Sequence, residues 1–265
     1  MKKQFIYQDY SFGYFIYGKG KPVVLLHGFG EDSSIFQYQI DFLQQHCLLI
    51  VPDLPGSGSS SFNPNLKTIE DYAVAIKALL KTESILQCIM LGHSMGGYIA
   101  MAFAELFPEE LSAFGLLHST AFADSLEKKE VRRRGIELIE EYGALAFLKI
   151  TIPNLFSSAF KETNSDEVAS LIEKGEMFSK EALQNYYTIM MNRPDRSFVL
   201  KNNPKPVLFV IGTEDVAVPL HDILQQTYLA DCSYVHVLEK VGHMGMLEAK
   251  EKFNNFLLSF IDNSG

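Results

Sequence analysis

The sequence predicts an α/β protein in which helices cover both faces of a mostly parallel sheet. Short, almost continuously apolar runs, typical of strands buried on both faces, alternate with segments whose apolar residues recur at helical spacing. Strands and helices that alternate in this order form parallel sheets. The length of 265 residues fits one sizeable core, or one core with a modest insertion.

The first part of the chain is predicted to begin with an antiparallel hairpin. Aromatic and β-branched runs over residues 4–9 and 12–17 flank Tyr10-Ser11, which we expect to form the turn. Thr68 to Asp71 resembles a capping box that opens a helix. The pattern then predicts, in order, strand 22–28, helix 33–45, strand 48–53, helix 69–81, strand 89–92, helix 95–107 and strand 111–119.

The strand pattern stops after Ser119 and returns near residue 205. Helices are predicted between these points at 124–141, 143–150, 166–175 and 179–192. Strands follow at 205–212 and 234–242, with helices after Pro219 and over 248–261. We therefore predict a core domain, formed by residues 1–119 and 199–265, that is interrupted by a helical insertion, residues 120–198.

Composition and charge exclude several classes of partner. The net charge is −9 and no broad basic patch is present, so we expect no nucleic acid partner. No apolar run reaches the roughly 18 to 20 residues of a membrane helix, and the N-terminus turns polar at Gln8 and Asp9. Cys47, Cys88 and Cys232 lie far apart, and two of them begin apolar runs, which favours small buried thiols in a reducing compartment. A cytoplasmic monomer or homodimer with a small-molecule substrate is predicted, without membrane association.

The segment Gly92-His93-Ser94-Met95-Gly96 follows a predicted strand and opens a predicted helix. A G-x-S-x-G pattern in this setting is typical of a nucleophilic serine held on a sharp turn. The motif alone leaves a second interpretation open, in which Ser94 is only a helix N-cap. A nucleophile would also need a general base to remove its proton.

A histidine and a carboxylate follow in the order expected for a strand-turn-helix nucleophile. His243 lies just past the last predicted strand, at the sheet edge where Ser94 emerges, and is the candidate base. Asp215 follows the preceding strand and is predicted to orient the imidazole, with Glu214 as the alternative. The other histidines are assigned no role in the chemistry: we expect His27 and His93 to be structural, His236 lies in a strand, and His46, His118 and His221 have no partner pattern.

Two backbone amides are candidates for stabilising an oxyanion. The N–H of Met95 follows the nucleophile at the start of its helix, and the second donor should come from the loop after an earlier strand. His27-Gly28-Phe29-Gly30 lies in such a loop, which nominates the Phe29 N–H. Taken alone, these glycines favour an ordinary strand-to-helix turn.

Five segments together resemble the α/β-hydrolase superfamily, specifically its small capped members with an HGxG oxyanion loop. They are HGFGEDSSIF, DLPGSGSS, GHSMGG, GTEDVAVP and VGHMGMLE, and the resemblance covers about residues 12 to 262. It implies an eight-stranded sheet, a nucleophile after the fifth strand, no metal or organic cofactor, and a cap at residues 120–198. The sequence departs from the family at Phe36, where many relatives have tryptophan, and at Tyr98, where some acid-recognising relatives carry arginine.

The predicted function is that of a serine hydrolase, similar to carboxylesterases and lactonases, that cleaves a small to medium ester or lactone through an acyl-enzyme. Carbon–carbon bond hydrolysis or perhydrolysis by the same triad remains an alternative, as does a non-catalytic small-molecule receptor on the same fold. The predicted pocket residues are Phe29, Phe156, Met177, Tyr186, Met190 and Met244.

The run Arg132-Arg133-Arg134 lies in a charged helical segment. It is predicted to form a solvated helix face, as most charge runs do. The alternative is that one of the three arginines turns inward to meet an anionic substrate.

Overall fold

The structure is a computed structural model that describes residues 1–264, and this range contains one eight-stranded sheet. The strands are β1 (Lys2–Tyr7), β2 (Tyr10–Gly18), β3 (Pro22–Leu26), β4 (Leu48–Pro52), β5 (Cys88–His93), β6 (Leu111–Leu117), β7 (Val207–Gly212) and β8 (Ser233–Leu238). Their spatial order is β1-β2-β4-β3-β5-β6-β7-β8. β2 pairs with β1 and β4 in antiparallel fashion, and all other pairs are parallel. The predicted fold class is confirmed.

The N-terminal hairpin is confirmed, but the predicted position of its turn is wrong. Tyr10 already belongs to β2 and pairs with Tyr7, so the turn consists of Gln8 and Asp9. Both turn residues have a positive φ, 50° and 70°, as a two-residue turn between twisted strands requires. The aromatic residues at positions 7 and 10 stay in the strands.

Twelve α-helices lie within residues 1–264. They are α1 (Gln37–Leu43), α2 (Ile69–Thr82), α3 (Met95–Leu106), α4 (Leu126–Tyr142), α5 (Ala144–Thr151), α6 (Ser158–Thr163), α7 (Ser165–Lys174), α8 (Lys180–Asn192), α9 (Ser197–Lys201), α10 (Leu220–Leu224), α11 (Gly245–Glu248) and α12 (Lys250–Asn263). In this part of the chain, none of them combines the length and apolar character that crossing a membrane requires.

The centre of the sheet is buried because its strands are apolar on both faces. Every residue of β5 and β7 is buried, whereas the edge strand β1 alternates between exposed and half-buried positions. α3 packs its small residues against β5, and ten of its residues are buried. The capping box predicted at Thr68 is confirmed by reciprocal bonds with Asp71, which fix the start of α2.

The helices α4 to α9 lie between β6 and β7, and residues 126–201 are called here the helical segment. No strand interrupts it. The backbone N–H of Arg196 donates to the carbonyl of Ala121 at 2.8 Å, so the chain that leaves β6 meets the chain that returns toward β7. The buried Arg196 side chain also pairs with Glu105 of α3 at 2.9 Å. The base of the helical segment is thereby tied to the sheet domain.

Candidate active site

Ser94 lies on a strained turn between β5 and α3. Its φ of 51° and ψ of −116° place it in a region that non-glycine residues rarely adopt. It occupies the N-cap position of α3, but its side chain makes no capping hydrogen bond. The simple N-cap interpretation of Ser94 therefore fails, and the hydroxyl stays available at the end of the strand.

The glycines that flank Ser94 are required by close backbone approach. A Cβ on Gly92 would lie 2.2 Å from the carbonyl carbon of Gly96. A Cβ on Gly96 would lie 2.3 Å from the carbonyl oxygen of Leu26, at the end of β3. Any side chain at these positions would push α3 away from the sheet, so the G-x-S-x-G pattern has a direct steric cause.

Asp215 and His243 are in contact, as the sequence predicted for an acid and a base. Nδ1 of His243 lies 2.9 Å from Oδ2 of Asp215, and both residues are buried. The other oxygen, Oδ1, accepts the N–H groups of Ala217 at 2.9 Å and Val218 at 2.8 Å. Burial alone would raise the pKa of Asp215, but the charge of His243 and the hydrogen bonds lower it well below its usual range. The carboxylate is thus ionised, and Nδ1 of His243 must carry the proton that it donates.

The same carboxylate has a second histidine partner that the sequence did not indicate. Nδ1 of His118, just past β6, lies 3.1 Å from Oδ2 of Asp215. Its Nε2 is buried without a hydrogen-bond partner among the described residues. Burial lowers the pKa of His118 to about 4, against the hydrogen bond to Asp215, which raises it. His118 is therefore neutral near pH 7 and donates one hydrogen bond.

His118, Asp215 and His243 offer ligand atoms that all lie within 4.8 Å of one another. Both Nδ1 atoms face the same oxygen at hydrogen-bond distance, 3.1 and 2.9 Å, which leaves no room for an ion between them. Hydrogen bonding to Asp215 accounts for the close approach of the two histidines.

His93 and His27 have the structural positions that the sequence predicted. Nδ1 of His93 lies 3.0 Å from Glu31 and its Nε2 lies 3.0 Å from the carbonyl oxygen of His243. Two acceptors favour the imidazolium: Glu31 raises the pKa of His93 although burial opposes the charge, and the pKa of Glu31 is lowered in turn. His27 accepts the Leu54 N–H at 2.9 Å. His93 therefore supports the backbone beneath His243.

Ser94 and His243 border one cavity of about 420 Å³ between the sheet and the helical segment. Within residues 1–264 the Ser94 hydroxyl makes no direct hydrogen bond to His243, as is common before a substrate is bound. The N–H groups of Phe29 and Met95 likewise have no partner in this part of the chain. These two amides are therefore available as hydrogen-bond donors, and Phe29 lines the same cavity as Ser94.

Of the six predicted pocket residues, Phe29 and Met190 line this cavity. The other four do not line it. Met177 ends a 3₁₀ turn and is 75% exposed, while Met244 is fully buried in the core. Tyr186 is fully buried, and its hydroxyl bonds to Ser57 at 2.7 Å. The predictions for these three residues are wrong because helix and turn phase, which decides orientation, cannot be read from composition.

The prediction for Phe156 is also wrong. Phe156 is buried away from this cavity, and its ring stacks on that of Phe160 with ring centres 5.3 Å apart. Tyr187 lines the cavity in its place and stacks on Phe29, with ring centres 4.3 Å apart and planes 9° apart. The complete lining is Phe29, Glu31, Ser94, Tyr98, Lys128, Val131, Arg132, Leu155, Tyr187, Met190, Val216, Ala217, Val218, Pro219, Asp222 and His243.

The arginine run on α4 divides between solvent and cavity. Arg133 and Arg134 are exposed and pair with Glu130, as predicted for a solvated face. Arg132 is not solvated, which corrects the prediction for that residue: its side chain is 12% exposed, and Nε donates to Asp124 at 2.6 Å. Because consecutive helical residues are rotated by about 100°, only one of the three can face the sheet.

Comparison with known proteins places the chain. A sequence model of the alpha/beta hydrolase family matches residues 23–256. The acetyltransferase component (dihydrolipoyllysine-residue) of the acetoin cleaving system of Pseudomonas putida is 27% identical over 91% of this chain, which spans 64% of that protein. The 2-hydroxy-6-oxononadienedioate/2-hydroxy-6-oxononatrienedioate hydrolase of Paraburkholderia phymatum is 27% identical, over 92% of this chain and 88% of its own length.

A solved structure of a thermophilic esterase from Thermogutta terrifontis, bound to malate, superposes with a TM-score of 0.93 at 25% identity. The superposition covers 100% of this chain and 99% of the esterase. Fold, strained serine turn and family match agree, and the chain belongs to the alpha/beta hydrolase family.

Proposed function

We propose that this hydrolase cleaves a small to medium ester or lactone by serine catalysis, with Ser94, His243 and Asp215 as the triad. One observation carries the proposal. The uncapped hydroxyl of Ser94 borders the same cavity as His243, whose Nδ1–H is held by the ionised Asp215 at 2.9 Å. A serine, an oriented imidazole and a carboxylate are the parts that acyl transfer requires.

Acylation begins when the Ser94 oxygen attacks the substrate carbonyl while Nε2 of His243 accepts the hydroxyl proton. Asp215 stabilises the imidazolium that forms, and its four hydrogen bonds keep it in position. The carbonyl oxygen becomes an oxyanion that the Phe29 and Met95 amides stabilise. The imidazolium then protonates the leaving alcohol as the carbon–oxygen bond breaks.

Deacylation repeats these steps with water as the nucleophile. His243 accepts a proton from water, the hydroxide attacks the acyl carbonyl, and Ser94 leaves after regaining its proton. Both half-reactions use the same oxyanion site. Neither half-reaction, as proposed, uses a cofactor.

The walls of the cavity support a substrate of limited size. Its volume of about 420 Å³ lies at the lower end of the usual range for small-molecule sites. The helical segment contributes Leu155, Tyr187 and Met190 to the apolar part of the lining. We propose that the segment acts as a cap that excludes water and selects the substrate.

Hydrolysis of a carbon–carbon bond is the second candidate. The Paraburkholderia relative is named as a hydrolase of a 2-hydroxy-6-oxo dioate, a substrate whose name includes no ester. The same three residues serve that reaction, with a carbanion in place of the alkoxide as leaving group. A panel of vinylogous diketones beside the esters and lactones distinguishes the two chemistries. The substrate with the highest kcat/KM that depends on Ser94 decides between them.

The proposal is tested with a fluorophosphonate serine probe and short p-nitrophenyl esters. We expect the probe to label Ser94, and Ser94→Ala to lose both labelling and turnover. The exposed Ser165→Ala is the matched control and should retain both. Wild-type protein that neither reacts with the probe nor hydrolyses any member of the panel would contradict the enzyme assignment and favour a small-molecule receptor.

A further inference from the structure

We infer that the cavity contains a carboxylate subsite, formed by Arg132 and Lys128 of α4 with the Tyr98 hydroxyl, so that the preferred substrates carry an anionic group beside the scissile ester. This inference rests on the proposed serine chemistry and names its substrate class. All three residues line the cavity that Ser94 borders. Tyr98 belongs to α3, and Lys128 and Arg132 belong to α4.

Arg132 is held rigidly and still has hydrogen-bonding capacity toward the cavity. Its Nε donates to Asp124 at 2.6 Å and its Nη2 reaches the same carboxylate at 3.4 Å. Nη1 has no partner among residues 1–264. An arginine that is fixed on one edge and free on the other loses little conformational entropy when it binds a planar carboxylate.

Asp124 does not neutralise the cations around it. The same carboxylate pairs with Arg193 at 2.8 Å, so two guanidinium groups share one negative charge. Arg193 stacks on the ring of Tyr98 at 3.7 Å. The ammonium group of Lys128 donates at 2.8 Å to the backbone carbonyl of Ala217, and no carboxylate within residues 1–264 pairs with it. One wall of the cavity therefore carries an excess of positive charge.

Tyr98 also lines the cavity. The residue is 3% exposed, yet the hydroxyl has no hydrogen-bond partner within the described part of the chain. Burial would raise the pKa of Tyr98, but Arg193, Lys128 and Arg132 together lower it. An unpaired donor in a positive field is suited to an anionic oxygen.

The two acidic residues that line the cavity, Glu31 and Asp222, form no ion pair with Arg132 or Lys128. Glu31 is paired with His93 at 3.0 Å, on the sheet side. Asp222 belongs to α10 and is exposed at the rim. A carboxylate that enters the cavity can therefore contact Nη1 of Arg132 while Asp124 stays bonded to Nε and Nη2, and no protein carboxylate has to leave Lys128.

The test uses ester pairs that differ by one charge. Mono-p-nitrophenyl glutarate is compared with its carboxamide, which places the charge on the acyl side. 4-Carboxyphenyl acetate is compared with 4-carbamoylphenyl acetate, which places it on the leaving group. We expect wild-type kcat/KM to favour the carboxylate about 10- to 100-fold in at least one pair. The preference should shrink at high ionic strength.

Substitutions assign the preference to the subsite. Arg132→Gln should bring the carboxylate-to-carboxamide ratio close to one, whereas Arg133→Gln, one residue further on the exposed face, should keep it. If Arg132→Gln does not fold, Lys128→Gln is the second variant, and it should also lower the carboxylate-to-carboxamide ratio of kcat/KM. A wild-type ratio of one in both pairs, or a ratio that survives Arg132→Gln or Lys128→Gln, overturns the inference.

The two proposals fail differently. Turnover of carboxamide and carboxylate at equal rates removes the subsite and leaves the serine hydrolase intact. If no ester is hydrolysed at all, the serine mechanism fails. Calorimetric titration of glutarate into wild type and Arg132→Gln then still tests the subsite: binding weakened about tenfold supports it, and equal or undetectable binding overturns it.

Discussion

Nδ1 of His118 lies 3.1 Å from Oδ2 of Asp215, on the oxygen that also receives the imidazole of His243 at 2.9 Å. The acid of the proposed triad thus serves two histidines. One of them, His118, is neutral and closed off from solvent, while His243 borders the cavity. His118 donates a hydrogen bond that helps to orient the carboxylate and stabilises its negative charge.

The first prediction concerns the pH dependence of folding. The unfolded chain protonates His118 below pH 6.5, but the pKa in the folded protein is lowered to about 4 by burial. The unfolded state therefore binds more protons as the pH falls through this window, and the free energy of unfolding decreases. Between pH 7 and 4.5 we expect the free energy of unfolding to fall about 2 to 3 kcal/mol less in His118→Asn than in wild type.

Urea denaturation at the two pH values measures this effect. His93 contributes with the opposite sign, since its raised pKa stabilises the protein below pH 6.5, but it is present in both proteins and cancels. The exposed His221→Asn is the control and should follow wild type. If the free energy of unfolding of His118→Asn falls between pH 7 and 4.5 by as much as that of wild type, the pKa of His118 is not lowered in the folded protein and the prediction is wrong.

The second prediction distinguishes Asp215 from its neighbour Glu214. In Asp215→Asn the two backbone donors hold the amide oxygen at the Oδ1 position, so the amide N–H₂ faces His243. The imidazole must then carry its proton on Nε2 and cannot accept one from Ser94. We expect kcat to fall about 10³- to 10⁴-fold with little change in KM. Glu214→Gln, at an exposed position, should retain kcat, and the reverse result would transfer the acid role to Glu214.

The third prediction concerns the stacked pair of Phe29 and Tyr187. The helical segment positions the Phe29 loop through this contact, and an oxyanion donor displaced by about 1 Å can cost up to about 100-fold. We expect Tyr187→Ala to lower kcat about 10- to 100-fold, while Tyr187→Phe stays within about threefold of wild type because the ring remains. Burial raises the pKa of Tyr187 to about 12, so its hydroxyl is not a base at neutral pH.

Steady-state kinetics with one p-nitrophenyl ester suffice for this comparison. Tyr142→Ala, which removes a 62% exposed ring from the same helical segment, is the control. If only KM rises in Tyr187→Ala, Tyr187 contacts the substrate and does not position the loop.

The fourth prediction concerns the turn around Ser94. An added methyl on Gly96 meets the Leu26 carbonyl at 2.3 Å, so Gly96→Ala should cost about 1 to 3 kcal/mol and abolish turnover as the strand and helix separate. Gly143→Ala is informative beside it, since a Cβ there meets no atom within 4 Å and only the φ of 90° is unfavourable. This control should lose stability but keep kcat. Chemical denaturation and esterase assays decide the matter.

The sequence was sufficient for the order of the strands and for the tight turn at Ser94, but the short helices α6 and α9 were not predicted. The strand order and the turn depend on local patterns: apolar runs give the buried strands, and the glycines flanking Ser94 report a steric requirement. Asp215 and His243 could be predicted because parallel strands end at the same edge of the sheet.

Single side-chain directions could not be predicted in the same way. His118 follows β6 at that same edge, but its contact with Asp215 depends on β6 and β7 being neighbours, which no local pattern reveals. Tyr186 and Tyr187 are equally aromatic, and the phase of α8 sends one into the core and the other to the cavity. The inward turn of Arg132 has the same origin on α4.

The bond from the Arg196 N–H to the Ala121 carbonyl, at 2.8 Å, has an evolutionary consequence. The two ends of the chain stretch that carries α4 to α8 meet at one point, so exchange of this stretch by recombination would leave the strand order unchanged. Such an exchange would replace Lys128, Arg132, Tyr187 and Met190 together while Ser94 and its partners stay in place. Recombination at these two positions would therefore change the substrate-contacting lining of the cavity and leave the residues around Ser94 unchanged.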